Sequence, residues 1–196
     1  MSLFTDGLAV IRLGETLVGT DDGRLVNTRM EGREGWVSHE DFVNAGSAAK
    51  IGTGTNGIRS KIRVMRNTSG VVLYAGEIAK INPALGIAGF GKASAKAAAN
   101  DRLCVIVDPT LPSTGVPVND LFIAFIEGPA LVLAPAAGVA LAPGDKLIAG
   151  ALDRAAVGGA LAGSTALIIG TFLTDTQLAA ANAGALIPCT LKPVGW

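Results

Sequence analysis

Residues Ser60 to Tyr74 read S-K-I-R-V-M-R-N-T-S-G-V-V-L-Y, and this stretch sets the expectation for the fold. Polar and apolar residues alternate from Lys61 to Val64, with imperfect ends on either side, which is the period-two pattern of a β-strand. The segment Asn67–Gly70 is a cluster of turn-forming residues, and the apolar run Val71–Tyr74 follows it. The stretch therefore predicts a β-hairpin.

Short apolar runs bounded by Gly, Pro, Asn or Asp recur through the rest of the chain. They predict further strands at Glu77–Ile81, Leu103–Asp108, Leu121–Glu127, Ala130–Ala134, Lys146–Ala149, Ala166–Leu173 and Leu186–Leu191. Short helices are predicted at 39–45, at the Ala-rich segment Lys92–Asn100, and from Thr174 to Gly184. Many short strands with this punctuation favour a mainly β fold, either a small barrel or a sandwich with one or two short helices.

The N-terminal third differs from the rest of the chain. Residues 1–58 are rich in Gly, Asp and Arg and show weak periodicity, with one strand predicted at Gly7–Leu13. The run Gly52–Gly57 has the composition of a flexible hinge. We therefore expect an extended N-terminal arm over residues 1–58 and a β-rich domain over residues 59–196. The part from residue 67 onward is expected to fold without the arm.

The composition argues against two kinds of partner. The 196 residues carry sixteen Lys and Arg against sixteen Asp and Glu, so no surplus of positive charge is present for binding nucleic acid. The longest uncharged run, between Arg154 and Asp175, approaches the length that crosses a bilayer. Glycine pairs and a Gly-Ser-Thr turn interrupt it, so a single buried strand is expected there and not a membrane span.

Charge is strongly polarised near the N terminus. Residues 1–45 contain four Arg and eight acidic residues, whereas residues 46–66 contain five basic residues and no acidic one. The five are Lys50, Arg59, Lys61, Arg63 and Arg66, and strand alternation places Lys61 and Arg63 on one face. These residues are the candidate interface with a neighbouring subunit or a larger partner, since complementary charged patches steer association. The alternative is that the acidic and basic segments pair within one chain.

Two further features leave alternatives open. The nearly uncharged region 129–142 is expected either in the core or at a contact between copies of the chain, and the contact is the preferred interpretation. Cys104 and Cys189 both lie in apolar runs, so buried free thiols are expected, with a disulfide between them as the alternative.

Two sequence strings match catalytic or cofactor motifs in spacing only. Gly52-x-Gly54-x-x-Gly57 matches the dinucleotide-binding fingerprint, but a strand follows it where the fingerprint requires the start of a helix. Ser47 and Lys50 have the spacing of a Ser–Lys nucleophile pair, but they lie in a polar stretch flanked by glycines. No cofactor is expected from either string.

Metal-binding and acid–base residues are also sparse. His39 is the only histidine, and it cannot form a histidine-based zinc site with two distant cysteines. Asp101, Asp108, Asp120 and Asp145 lie at turns or at the edges of apolar runs, where Asp is common because its side chain bonds nearby backbone groups. We therefore expect no metal site, no catalytic residue and no enzymatic activity.

Five stretches carry a resemblance to a known family. They are Arg66–Gly70, Leu73–Ile78, Pro143–Leu147, Ala166–Thr171 and Leu186–Leu191. Their order, an N-turn-G before a strand, then G-D-x-L, I-I-G-x-x-L and L-I-P-x-x-L, resembles the head decoration, or cement, proteins of tailed bacteriophages. The resemblance covers residues 60–196 loosely, and residues 1–58 have no matching counterpart.

The resemblance implies a non-enzymatic virion protein, made in the host cytoplasm, that binds the major capsid protein on the capsid exterior. It also implies a homo-oligomer, most simply a trimer, and an N-terminal arm that reaches over neighbouring subunits. Two alternatives remain open. One is another virion component, such as a minor capsid or tail protein. The other is a β-domain hydrolase or a carbohydrate-binding module that uses the Asp turns.

Overall fold

The computed structural model is mainly β. It describes residues 11, 13–17, 30–38, 59–81, 92–96, 104–134, 142, 144–149, 155–157, 168–172 and 185–191. The strands are β1 (Glu34–Ser38), β2 (Arg59–Asn67), β3 (Ile78–Ile81), β4 (Lys92–Lys96), β5 (Cys104–Val107), β6 (Leu121–Leu133), β7 (Lys146–Ala149), β8 (Ala155–Val157), β9 (Ile168–Phe172) and β10 (Leu186–Leu191). The expectation of a mainly β fold is therefore confirmed.

The ten strands form one sheet in the order β1-β2-β4-β3-β5-β6-β10-β9-β7-β8. β2 also pairs with β6, so β2, β4, β3, β5 and β6 follow one another round a ring of hydrogen-bonded neighbours. β2 and β4 run parallel, whereas β2 and β6 run antiparallel. The sheet as a whole is not a closed barrel, because β10, β9, β7 and β8 continue from β6 beyond the ring.

Both faces of the central strands are buried. Successive side chains of a strand point to opposite faces, so one strand can supply two separate clusters. On β2, Ile62 and Val64 lie in one cluster and Met65 lies in the other. On β6, Phe125 lies in the cluster of Ile62, and Phe122 lies in the cluster of Met65. Burial on both faces explains why β6 is apolar along most of its length, whereas β2 combines its three apolar core residues with four charged residues.

β6 is one strand of thirteen residues where the sequence predicts two. Its first half pairs with β2 and β5, and its second half pairs with β10. Gly128 marks the junction, with a φ of +85° that only glycine adopts easily. A Cβ at this position would lie 2.9 Å from the carbonyl oxygen of Arg59, so the close approach of β2 also requires glycine.

Seven other expected elements can be compared with the structure: five strands, the hairpin and one helix. β3, β5, β7, β9 and β10 lie within the predicted apolar runs. The predicted hairpin is wrong: β2 pairs with β1, β4 and β6, and within Val71–Tyr74 only Leu73 forms a bridge, with Val116. The predicted helix over Lys92–Asn100 is wrong in its first half, because Lys92–Lys96 is the strand β4 between β2 and β3. Alanine has the highest helix propensity, but differences in propensity are less than about 1 kcal/mol per residue for ordinary residues, and backbone pairing on both sides overrides them here.

The N-terminal third contributes to the fold where the structure describes it. β1 pairs with β2 over five residues, from Glu34 opposite Arg63 to Ser38 opposite Arg59. Ile11, Leu13 and Met30 are buried in the same cluster as Ile62 and Val64. These described residues therefore pack with the β-rich part of the chain, and the division into an arm over residues 1–58 and a domain over residues 59–196 stays a prediction. Most of Gly7–Leu13 and the helix predicted over 39–45 lie outside the described residues.

The apolar region 129–142 is core where it is described. Ala130, Leu131 and Val132 are fully buried within one chain, on the half of β6 that pairs with β10. This part therefore does not line a contact between copies, which corrects the preferred interpretation. Cys189 on β10 is a buried free thiol, as expected, and burial raises its pKa to about 12. Within the described residues, no helix is long and apolar enough to cross a membrane.

Candidate functional surface

The basic residues of β2 meet acidic residues of the same chain. Glu34 on β1 lies opposite Arg63, and its carboxylate contacts both Lys61 (2.6 Å from Nζ to Oε2) and the Arg63 guanidinium. Partial burial raises the pKa of Glu34, but the hydrogen bonds and positive charges of Lys61 and Arg63 outweigh it and hold the pKa below its ordinary value. Lys61 and Arg63 share one strand face, as alternation predicts.

Arg66 forms a second contact of this kind. Its Nε lies 2.7 Å from Oε2 of Glu31, and its Nη1 donates to the Asn119 carbonyl at 2.9 Å. Three of the five candidate interface residues thus pair with acidic residues of their own chain. The internal pairing that the sequence left as an alternative accounts for them. Arg59 is exposed at the start of β2, and Lys50 lies outside the described residues.

Asp108, at the end of β5, is buried and holds two loops together. Its Oδ2 accepts a hydrogen bond from the Gly14 N–H at 2.7 Å, and its Oδ1 accepts from the N–H and hydroxyl of Thr110 at 2.9 and 2.6 Å. Burial raises the pKa of Asp108 to about 6, and the three hydrogen bonds oppose that rise. The carboxylate thus accepts hydrogen bonds within the turn in which its position in the sequence places it.

Asn67, at the end of β2, is a second buried polar side chain that organises loops. Its Nδ2 donates to the carbonyls of Val71 and Val116 at 2.8 and 2.9 Å, and it also lies 3.2 Å from the carbonyl of Pro117. Its Oδ1 accepts from the N–H and hydroxyl of Ser69. One amide therefore ties together the chain after β2 and the chain before β6.

Two further described acids in turns, Glu77 and Asp145, have similar roles. Oε2 of Glu77 accepts from the Tyr74 N–H at 3.0 Å, and Oδ2 of Asp145 accepts from the Ala142 N–H at 2.7 Å. Among the described residues, no three His, Cys, Asp or Glu side chains are grouped to hold a metal ion. The dinucleotide-like string, the Ser47–Lys50 pair, His39 and Asp101 lie outside the part of the chain that the structure describes.

Two loops tied by Asn67 form an exposed apolar surface, which we call the two-loop tip (residues 68–76 and 109–119). Leu73 and Val116 exchange two backbone hydrogen bonds, of 3.2 and 2.7 Å, that join the loops. Val71, Tyr74 and Val118 are 47%, 46% and 41% exposed on it. Neither loop contains a charged residue. In the sequence, the signal for this surface is two uncharged, turn-rich segments, but no local pattern shows that these segments lie side by side.

Trp36 is a further exposed apolar side chain, 53% exposed on β1. It stands opposite Lys61 and two residues from Glu34, so charged residues surround it. The two exposed apolar sites of the described surface therefore differ in their electrostatic setting.

Comparison with known proteins gives one named structural likeness. No protein-family model matches the sequence, and no curated protein is significantly similar to it. The fold is similar to that of the head fiber gp8.5 N base in bacteriophage phi29, at 16% sequence identity and a TM-score of 0.34. The similarity covers 69% of this chain and 96% of that one. At this TM-score the likeness does not determine a function for this chain.

Proposed function

We propose that the chain is a non-enzymatic structural protein of a tailed-bacteriophage virion. In this proposal it binds the outer surface of the capsid as a homo-oligomer, a trimer in its simplest form, and stabilises the shell by bridging neighbouring capsid subunits. Its partner is the major capsid protein, and neither nucleic acid, membrane nor a cofactor takes part.

The strongest support for this proposal comes from the groups that the buried polar side chains bind. Asp108, Asn67 and Glu77 each bind backbone groups of loops, and Arg63 binds Glu34. In an active site such groups would line a cleft, where they could exchange protons with a substrate. In this fold they fix the geometry of loops, which suits a protein whose work is done by a rigid surface.

The motif resemblance supports the assignment to a virion. Two of the stretches that carry it, Arg66–Gly70 and Leu73–Ile78, contain Asn67, Ser69 and Glu77, whose side chains bind the backbone of the two-loop tip. The residues that resemble the decoration proteins are therefore residues with a defined structural task in this chain.

Contact with the shell is assigned in this proposal to the basic residues of the 46–66 segment that lie outside the internal ion pairs. Arg59 is exposed, and Lys50 is the other candidate; Lys61, Arg63 and Arg66 act by holding β1 against β2. Exposed single charges contribute little affinity but do affect the rate and register of docking.

The test is quantitative mass spectrometry of purified virions of the phage that encodes the chain. A copy number comparable to that of the major capsid protein is expected. A few copies per particle would instead favour a portal or tail component, and absence from virions would overturn the proposal.

A second experiment tests the contact residues. Arg59→Ser is compared with Lys61→Ser in binding to capsids that lack the protein, across a salt series. We expect Arg59→Ser to weaken binding and reduce its salt dependence, because the charge lost is exposed. Equal behaviour of Arg59→Ser and the parent protein would remove Arg59 from the interface.

A further inference from the structure

The two-loop tip presents three large apolar side chains to solvent. Val71 and Tyr74 come from one loop and Val118 from the other, and backbone hydrogen bonds between Leu73 and Val116 hold the loops side by side. Burial of such groups between proteins is favourable in proportion to the apolar area removed from water. Because the three side chains come from two loops that are bonded to each other and carry no charge, we treat them together as a candidate interaction surface.

The tip is also ordered before any partner arrives. Asn67 binds carbonyls of both loops, and Gly115 packs so closely that a Cβ there would lie 2.5 Å from the Leu73 carbonyl oxygen and 3.0 Å from the Tyr74 ring. Gly115 also has a φ of +67°. Binding would therefore order few additional groups, which lowers the free-energy cost of association.

The charge pattern indicates which partner the tip fits. At a rotation axis the same residues of every copy meet, so any charge there would face its own like charge. The twenty residues of the two loops carry no charge, and the whole chain has a formal net charge of zero. A charged partner surface would find no complementary group here, whereas Trp36 lies beside Lys61 and Glu34.

We propose that the two-loop tip is the contact through which copies of this chain meet one another at the symmetry axis of a homo-oligomer. The inference rests on the homo-oligomer of the proposed function. Apolar burial of Val71, Tyr74 and Val118 holds the copies together, and the absence of charge permits identical surfaces to approach.

The experiment compares full-length variants by light scattering coupled to size exclusion over a concentration series. Val118→Lys and Val118→Glu are each expected to raise the dissociation constant at least tenfold, because like charges then meet at the axis. An equimolar mixture of the two is expected to recover assembly, since opposite charges meet instead. Trp36→Ser is the matched control, and it should assemble as the parent does. Far-ultraviolet circular dichroism checks that each variant is folded.

The outcomes are distinct. Unchanged assembly of both Val118 variants would overturn the inference, as would loss of assembly in Trp36→Ser alone. A parent chain that stays monomeric at 100 times the working concentration would also overturn the inference. In that case, loss of capsid binding by the monomeric Val118 variants would indicate that the tip contacts the shell instead. Virion copy number is measured independently, so failure of the tip contact and failure of the virion assignment can be told apart.

Discussion

At the residue scale, Asp108 has the clearest consequence for pH dependence. Its ordinary pKa is 3.8, and burial raises it to about 6 in the folded chain. Between these values the folded state binds a proton that the unfolded state has lost. Asp108 therefore adds stability as the pH falls from 6 towards 3.8, and its ionisation costs stability above pH 6.

We expect this contribution to show as a difference between the parent and Asp108→Asn. On lowering the pH from 7 to 4, the free energy of unfolding of the parent should rise relative to that of the variant by about 2–3 kcal/mol, at about 1.4 kcal/mol per pKa unit. Urea denaturation at several pH values measures both chains, and groups common to both cancel in the difference. A difference that is constant with pH, or that moves the other way, would contradict the expectation.

Asn67 gives a second prediction at the same scale. Asn67→Ala removes the amide that donates to the carbonyl of Val71 and to the buried carbonyl of Val116, so we expect the free energy of unfolding to fall by about 1–3 kcal/mol. Asn119→Gly is the control: Asn119 is exposed with a φ of +73°, which glycine adopts freely, and a change within about 0.5 kcal/mol is expected. Equal stability of the two variants would show that the amide network is not important.

At the element scale, β6 depends on a single glycine. Gly128 and Gly144 have nearly the same positive φ, +85° and +86°, but their surroundings differ. A Cβ at Gly128 would meet the backbone of Arg59 and Ser60, whereas at Gly144 nothing lies within 4 Å. The pair therefore separates backbone strain from steric crowding.

We expect Gly144→Ala to lower the free energy of unfolding by about 1–2 kcal/mol, from the left-handed backbone conformation alone. Gly128→Ala should cost about 1–3 kcal/mol more, because β2 and β6 must move apart to admit the methyl group. Chemical denaturation of both variants provides the measurement. Similar losses for both would mean that the approach of β2 to Gly128 is not tight.

At the scale of the whole molecule, the N-terminal third helps to build the core. Ile11 is fully buried in the cluster shared by β2, β6 and β10, although it lies far from them in sequence. Its side chain bridges the start of the chain to the strands that the sequence assigns to a separate domain. The chain should therefore unfold as one unit that includes this part of residues 1–58.

Ile11→Ala tests that integration. We expect a loss of about 2–5 kcal/mol in the free energy of unfolding, the range for deleting a large aliphatic side chain from a core. Glu15→Ala, an exposed change in the same segment, should alter stability by no more than about 0.5 kcal/mol. If Ile11→Ala lowers the free energy of unfolding no more than Glu15→Ala does, the segment does not contribute to the core.

Local sequence patterns were sufficient to predict the fold class and the positions of β3, β5, β7, β9 and β10. Apolar runs between turn-forming residues are local signals, and a short run of this kind has few alternatives to a buried strand. The sequence also predicts that the Asp residues at turns bind backbone, as Asp108 and Asp145 do, because that preference is local too. The basic candidate residues were visible for the same reason.

Which residues contact one another depends on the tertiary structure. The sequence placed Lys61, Arg63 and Arg66 on a strand but left open whether their acidic partners lay inside or outside the chain, and the pairing of β1 with β2 brings Glu34 and Glu31 to them. Lys92–Lys96 forms a strand because β2 and β3 offer hydrogen bonds on both sides, which outweigh the high helix propensity of its alanines. Contacts between residues distant in sequence are set by how sheet faces and edges pack, and no local pattern of residues encodes them.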